Sequence, residues 1–268
     1  MLGKLLKYEI KATARWFLPI YAIIFLFAFI NRLINPFQKV GDTYTTTVEG
    51  LNFLNFMRGI SIFVYFALIV AVIAMTFIII IQRFYKNLLG DEGYLMFTLP
   101  VKTWQHIVSK LLTSLTWIIL SFIVIISSIL ILINIDNLFS ELSRIMSTAH
   151  DFLGTTLLIL IPISGLIGSA YFIITVYNAL SIGHLFTKHR ILASFAAYMA
   201  IYVVSQIVFA TFFFATANRI FAPMAQSTDI VPPQVTTLIV SVTIIYAILG
   251  IANFTVANLI LNRKLNLE

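Results

Sequence analysis

Few side chains in this chain are of types suited to catalysis or metal binding. Ser164 lies in the apolar segment PISGLIG, which has neither a G-x-S-x-G turn nor a His or Asp to activate a serine nucleophile. His184 and His189 are five residues apart in a basic stretch, a poor spacing for a shared metal ion. We therefore predict no catalytic or metal-binding residues. We interpret Ser164, Gly165 and Gly168 as small residues that let helices approach closely.

Nucleotide chemistry is also excluded by the sequence. No G-x-x-x-x-G-K-S/T motif occurs, so we expect that the chain neither cradles ATP phosphates by itself nor acts as an enzyme. The absence of cysteine rules out disulfides and thiolate metal sites. No basic stripe is interleaved with aromatic residues as nucleic-acid binding requires. We predict no cofactor in this chain and no nucleic-acid partner.

The composition indicates that the chain forms membrane-spanning helices. Of the 268 residues 60% are hydrophobic and 10% are charged, with a mean hydropathy of +1.01. Soluble domains carry about 25% charged residues. Six stretches lack Asp, Glu, Lys, Arg and His, namely Trp16–Asn31, Gly59–Ile81, Leu111–Ile135, Phe152–Gly183, Ile191–Asn218 and Ile230–Asn262. About 20 apolar residues cross a hydrocarbon core as a helix. The sequence therefore predicts an all-α polytopic membrane protein with six transmembrane helices in one domain, 1–268.

The first apolar stretch is short, but Leu33 and Ile34 extend it. It offers no small-residue cleavage site, so we do not expect a cleaved signal peptide. Between the first two spans, the segment TYTTTV has β character. A second outer segment, Asp136–Asp151 between the third and fourth spans, has a helical pattern.

The basic residues predict the orientation of the chain, because Lys and Arg are enriched on the cytoplasmic side. Alternate loops divide the 17 basic residues unequally. One side holds twelve of them: Lys4, Lys7, Lys11, Arg15, Arg83, Lys86, Lys102, Lys110, Lys188, Arg190, Arg263 and Lys264. The other side holds five: Arg32, Lys39, Arg58, Arg144 and Arg219. Both termini are therefore predicted to be cytoplasmic.

The predicted spans contain no ionisable side chains of the kind that proton relays and cation sites need. Their amides, Asn178, Gln206, Asn253 and Asn258, are predicted to hydrogen-bond between helices. If the protein moves a cargo uphill, we expect the energy to come from a partner.

The N-terminal residues 1–15 form a predicted amphipathic helix in the headgroup plane of the bilayer. Its cations share one face and would anchor it at the interface, where anionic lipid attracts them: Lys4, Lys7, Lys11 and Arg15. Such a helix either acts as an elbow that positions the first span or only fixes topology.

A short amphipathic helix is predicted in the first cytoplasmic loop, 83–110, within the stretch GDEGYLMFTLPVK. Asp91 can cap this helix, Glu92 suits the helix dipole, and Pro100 ends it. A new helix is expected to begin near Thr103. The short helix carries the apolar side chains Tyr94, Leu95, Met96, Phe97 and Leu99. It either covers lipid at the membrane surface or docks in a groove of a cytoplasmic partner.

This stretch resembles the first cytoplasmic loop of ABC-2-type transporter permeases, the membrane subunits of one class of ATP-binding-cassette exporters. The family has an acidic residue, a short run ending in leucine, and Pro-Val between the second and third of six spans. The matching residues here are Glu92, Leu95, Leu99, Pro100 and Val101. The sequence Lys110-Leu111-Leu112 and the six-span layout are similar too. The second cytoplasmic loop, ALSIGHLFTKHRI, resembles that of permeases from Gram-positive bacteria.

The resemblance implies that the short helix is a coupling helix on a separate ATP-binding subunit. The implied contacts in the first loop are Asp91, Glu92, Tyr94, Leu95, Met96, Phe97, Leu99 and Pro100. The second loop, 184–190, with Ile182 just before it, would add Ile182, His184, Phe186 and Lys188. Two copies of the ATP-binding subunit would bind ATP and Mg²⁺ and drive two permeases, as a homodimer or with a paralogue. The family also implies a multi-pass protein of the plasma membrane, here of bacterial type.

Two other function classes stay open at this level. One is a secondary transporter that is not of the ABC type, and the other is a membrane scaffold or immunity protein without transport. The 24 Phe and 11 Tyr residues suggest a hydrophobic or amphipathic cargo such as a peptide, lipid or drug. The alternative is that these aromatics only face lipid and pack helices.

Overall fold

The computed structural model describes residues 2–34, 37–40, 43–46, 53–90, 93, 101–132, 138–186, 188–226 and 233–263. Within these ranges the helices are α1 (Leu2–Ile34), α2 (Phe53–Phe84), α3 (Thr103–Leu132), α4 (Leu138–Gly183), α5 (Arg190–Gln226) and α6 (Pro233–Arg263). A five-residue π-helix, Tyr85–Leu89, follows α2 directly. Among the described residues, six helices are long and apolar enough to cross a membrane. This confirms the predicted multi-pass helical architecture.

The N-terminal segment is helical, but it is not a separate element. α1 runs without interruption for 33 residues from Leu2 and includes Pro19. The structure therefore has no helix boundary between residues 1–15 and the first span, and the placement of residues 1–15 at the membrane interface stays a prediction. No glycine or turn residue lies at that point to end the helix. The side chains of Lys4, Lys7, Lys11 and Arg15 lie along this continuous helix, and all four are exposed.

The connections between helices include two regular features. Strands β1 (Phe37–Val40) and β2 (Thr43–Thr46) pair antiparallel, with Val40 opposite Thr43, which confirms the β character of TYTTTV. The segment 138–151 is helical as predicted and belongs to α4. Gly154 interrupts α4 with φ 69° and ψ 163°, backbone angles that glycine adopts without a steric cost.

The chain divides into two compact units, of which the N-terminal one consists of Gly3–Ile80 and Leu112–Glu141. In its core Phe17 stacks on Trp117 with ring centroids 4.2 Å apart, and the Trp117 indole donates to Thr13 Oγ1 at 2.7 Å. Tyr21 shares a 2.7 Å hydrogen bond with Ser121. Because these polar groups are paired inside the core, they join α1 and α3 without the cost of an unsatisfied buried donor.

The C-terminal unit consists of Met1–Leu2, Ile81–Leu111 and Leu142–Glu268. Asn178 on α4 donates to Asn253 Oδ1 on α6 at 2.7 Å, which confirms the predicted hydrogen bond between helices. The Tyr171 hydroxyl donates to Ser205 on α5 at 2.7 Å. Tyr246 on α6 packs against the Tyr171 ring at a centroid distance of 5.1 Å. These contacts join α4 to both α5 and α6 in this unit.

The predicted small-residue contacts are only partly correct. A Cβ at Gly168 would lie 3.8 Å from the Tyr246 ring, which is ordinary contact between α4 and α6. Gly165 has no neighbour within 4 Å of such a Cβ among the described residues, and Ser164 donates to the carbonyl of Ile161 in its own helix.

Candidate functional site

The end of α2 continues as a π-helix that leads into the first loop. The Gly90 amide donates to the Tyr85 carbonyl at 2.8 Å, a bond over five residues that is characteristic of π-helical turns. Asn87, Leu88 and Leu89 are buried, so this turn is packed into the fold. A Cβ at Gly90 would lie 2.9 Å from the Lys86 carbonyl oxygen, which explains the glycine at this position. Helical structure thus extends into the predicted loop 83–110 as far as Leu89.

The second loop is held by a close backbone approach between α4 and α5. A Cβ at Gly183 would lie 2.5 Å from the Ser194 amide nitrogen and 2.6 Å from its Cα. The turn after α4 is closed by the His184 amide, which donates to the Leu180 carbonyl at 3.1 Å. His189 has φ 57° and its carbonyl accepts from Ala193, so it begins α5 in a conformation that few non-glycine residues adopt.

Ring stacking joins the beginning of the first loop to the second loop. Phe84 stacks on Tyr177 of α4 with centroids 4.0 Å apart and 9° between the planes. One residue later, Tyr85 stacks on His184 with centroids 5.3 Å apart and 18° between the planes. Phe84 and Tyr177 are both completely buried. The last turn of α2 is therefore fixed to the end of α4.

The other end of the first loop is attached to α6. α3 begins at Thr103, as the sequence predicts, and the Thr103 hydroxyl donates to Asn258 Oδ1 at 3.0 Å. Further along α3, His106 and Lys110 are only 2% and 3% exposed. Lys110 is therefore buried in the fold and not solvated, at the end of the loop that the charge distribution predicts to be cytoplasmic.

Burial and charge set the electrostatics of the second loop. Burial and, secondarily, the positive charge of Arg190 hold the pKa of the His184 imidazole below its usual value of 6.5. Its Nε2 atom is buried without a hydrogen-bond partner among the described residues. The lowered pKa favours the uncharged form of the His184 ring, which stacks on Tyr85.

The predicted contact residues divide into two groups. Those of the first loop, Asp91, Glu92, Tyr94, Leu95, Met96, Phe97, Leu99 and Pro100, lie outside the described residues. In the second loop, Phe186 and Lys188 are exposed, whereas Ile182 and His184 are half-buried. The two histidines of this loop differ, because His189 is exposed but His184 packs on Tyr85.

No protein-family model, no curated protein and no solved structure matches this chain. In the described part of the chain, no three His, Asp or Glu side chains come together as a metal site would require.

Sequence reasoning missed the residues that connect the loops. Tyr85 is an aromatic residue and Thr103 is a hydroxyl residue, and both lie at helix ends. No pattern in a single sequence indicates which residue either of them contacts. Gly183 carries a detectable signal, because a glycine at the end of an apolar stretch is a typical helix stop. Before Gly90, polar and charged residues interrupt the apolar stretch of α2, and this interruption could also have indicated an irregular helix end.

Proposed function

We propose that this chain is the membrane-spanning permease subunit of an ATP-binding-cassette exporter of the ABC-2 type. Separate ATP-binding subunits would supply ATP and Mg²⁺. A second permease, identical or paralogous, would complete the path for a hydrophobic or amphipathic cargo. The proposal rests on the resemblance of the two loops, together with six apolar helices. The observation that carries it furthest is the stack of Tyr85 on His184, since it joins the two loops to which the resemblance assigns one docking function.

The described contacts offer a route by which docking would move helices. A force on the first loop would reach α4 through the Phe84–Tyr177 stack and α6 through the Thr103–Asn258 hydrogen bond. Coupling of this kind requires elements with two discrete arrangements, biased by nucleotide-driven closure of the partner. Both attachments lie in the C-terminal unit, so its helices would be the first to respond.

The first test is co-purification of an ATP-binding subunit with tagged full-length chain, alongside a transport or resistance assay. Phe97→Ala and Glu92→Ala should leave the protein inserted and dimeric but uncoupled. Truncating an aromatic anchor costs about 2 kcal/mol, which weakens docking roughly 30-fold. Normal association and normal transport in both variants would mean that the stretch GDEGYLMFTLPVK only covers the membrane surface.

A matched pair of exposed phenylalanines tests the second loop. Phe186 and Phe152 are 55% and 56% exposed, but they lie on predicted opposite sides of the membrane. Phe186→Ala should weaken association with the ATP-binding subunit, whereas Phe152→Ala should not. Equal association for the two variants would remove the second loop from the proposed contact.

A further inference from the structure

An open groove lies where α5 begins, in the C-terminal unit. Its volume is about 740 Å³, and it is lined by Tyr85, His189, Arg190, Ile191, Leu192 and Phe195. Along the chain, the lining begins with His189 and Arg190 and continues with the apolar residues Ile191, Leu192 and Phe195. At a rise of 1.5 Å per residue, Phe195 lies about 7.5 Å along the helix from Arg190. The groove is therefore polar at the start of α5 and apolar further along the helix.

The apolar wall of the groove faces outward. Ile191, Leu192 and Phe195 are 76%, 67% and 63% exposed, and they begin a helix segment that is long and apolar enough to cross a membrane. Three large apolar side chains so exposed on a span are suited to contact with hydrocarbon. Arg190, directly before them, then lies at the level of the lipid headgroups, where a long cationic side chain is well accommodated.

The groove is lined by Arg190, and the segments that supply its lining are rich in basic residues. The flanking residues Arg83, Lys86, Lys188 and Arg190 are basic, and the sequence has no acid within 83–90 or 184–195. The nearest acids in sequence are Asp91 and Glu92, directly after Gly90. The charge of Arg190 also acts on its surroundings, since it helps to lower the pKa of His184. An occupant that complements the groove is an anion at one end and apolar at the other.

We propose that this groove binds an anionic phospholipid. Its phosphodiester lies against Arg190 and His189, and an acyl chain runs along Ile191, Leu192 and Phe195. A lipid without net charge matches the positive end of the groove less well, and inorganic phosphate leaves the apolar wall unused. The lipid site requires no nucleotide and no ATP-binding subunit, so it stands or falls separately from the proposed transport function.

The test is native mass spectrometry of the full-length protein in detergent, titrated with dioleoyl phosphatidylglycerol or dioleoyl phosphatidylcholine. The wild type should bind the anionic lipid more tightly. Arg190→Gln should weaken phosphatidylglycerol binding about fivefold, the effect of one basic residue at a lipid surface, and reduce the preference over phosphatidylcholine. Phe195→Ala should weaken both lipids about threefold, because it removes apolar contact and no charge.

Lys188→Gln is the matched control, because Lys188 is an exposed cation two residues away that does not line the groove. It should change lipid binding less than about twofold, since only a diffuse attraction is lost. Equal losses for Lys188→Gln and Arg190→Gln would show diffuse attraction and overturn the site. Displacement of the lipid by millimolar inorganic phosphate would show an anion site without lipid specificity and would also overturn it. If Arg190→Gln fails to fold, Arg190→Lys should retain the preference and Phe195→Ala should still weaken binding; failure of either expectation contradicts the proposal.

Discussion

At the scale of single residues, the second loop depends on a glycine that has no unusual backbone angle. Gly183 is required because the backbone of Ser194 occupies the space of a side chain. The neighbouring backbone cannot rotate away as a side chain could. A substitution here therefore displaces the start of α5, including Arg190 and the groove that it lines.

We predict that Gly183→Ala destabilises the protein by about 2–3 kcal/mol, the upper part of the range for overpacking, because the added methyl meets backbone. Thermal unfolding of the detergent-solubilised protein measures this loss. Gly165→Ala is the control: a methyl at Gly165 meets nothing within 4 Å among the described residues, so the variant should be neutral or slightly stabilised. Ser194→Gly should not rescue Gly183→Ala, since the Ser194 nitrogen remains 2.5 Å from the position of the added methyl. A full rescue would contradict a backbone clash.

The protonation of His184 gives a second residue-scale prediction. Its pKa is held below 6.5, first by burial and second by Arg190. An unfolded histidine takes up its proton at higher pH than the folded one, so stability should fall as pH drops below about 6.5. NMR titration of labelled histidine should give a pKa below 6.5 for His184, and Arg190→Gln should raise it. An unchanged pKa in that variant would contradict the influence of Arg190.

At the scale of helices, the sequence predicted the existence of elements well and their ends poorly. Long runs without charge must be helical in lipid, so α2 to α6 follow from composition. The start of α3 at Thr103 was predicted because Pro100 disfavours helix at the preceding residue. The continuation of α1 through residue 15 was not predicted, because an amphipathic pattern does not distinguish a separate interfacial helix from the first turns of a span.

The candidate site was predictable only in its composition. Exposed Phe186 and Lys188 follow from a polar loop between two apolar stretches. The contacts of Tyr85 with His184 and of Thr103 with Asn258 join residues far apart in sequence, and such pairings are decided by how helices pack. Periodicity within one segment carries no information about them.

The amide pair between α4 and α6 gives the element-scale prediction. Asn178→Leu should reduce stability by about 0.6–2 kcal/mol, the range for hydrogen bonds between helices in membranes, because Asn253 Oδ1 loses its 2.7 Å donor. Thr255→Val is the control on α6, since the exposed Thr255 hydroxyl donates to the Ile251 carbonyl of its own helix. Unfolding of Asn178→Leu, Asn253→Leu and the double variant forms a thermodynamic cycle. Strict additivity would show that the two amides do not interact.

At the scale of the whole molecule, the distribution of basic residues predicts that both termini and both loops of the candidate site lie in the cytoplasm. The chain has no cysteine, so single cysteines can report topology without background. In intact cells, a membrane-impermeant thiol reagent should modify Ser147→Cys but not Lys188→Cys or Glu92→Cys. After the cells are opened, all three should react. Labelling of Glu92→Cys in intact cells would overturn the orientation and, with it, the proposed docking of an ATP-binding subunit.

The last prediction is that ATP is bound and hydrolysed by the partner subunit and not by this chain. Because no phosphate-binding loop occurs in the sequence, the purified chain should neither bind nor hydrolyse ATP. The measurement is ATP turnover and nucleotide binding of protein shown by mass spectrometry to be free of other subunits. Adding back an ATP-binding subunit should restore turnover, and Phe97→Ala should reduce the amount restored at limiting subunit concentration. Turnover by the isolated chain would contradict the partner model, whereas turnover unaffected by Phe97→Ala would retain the partner and remove the coupling helix.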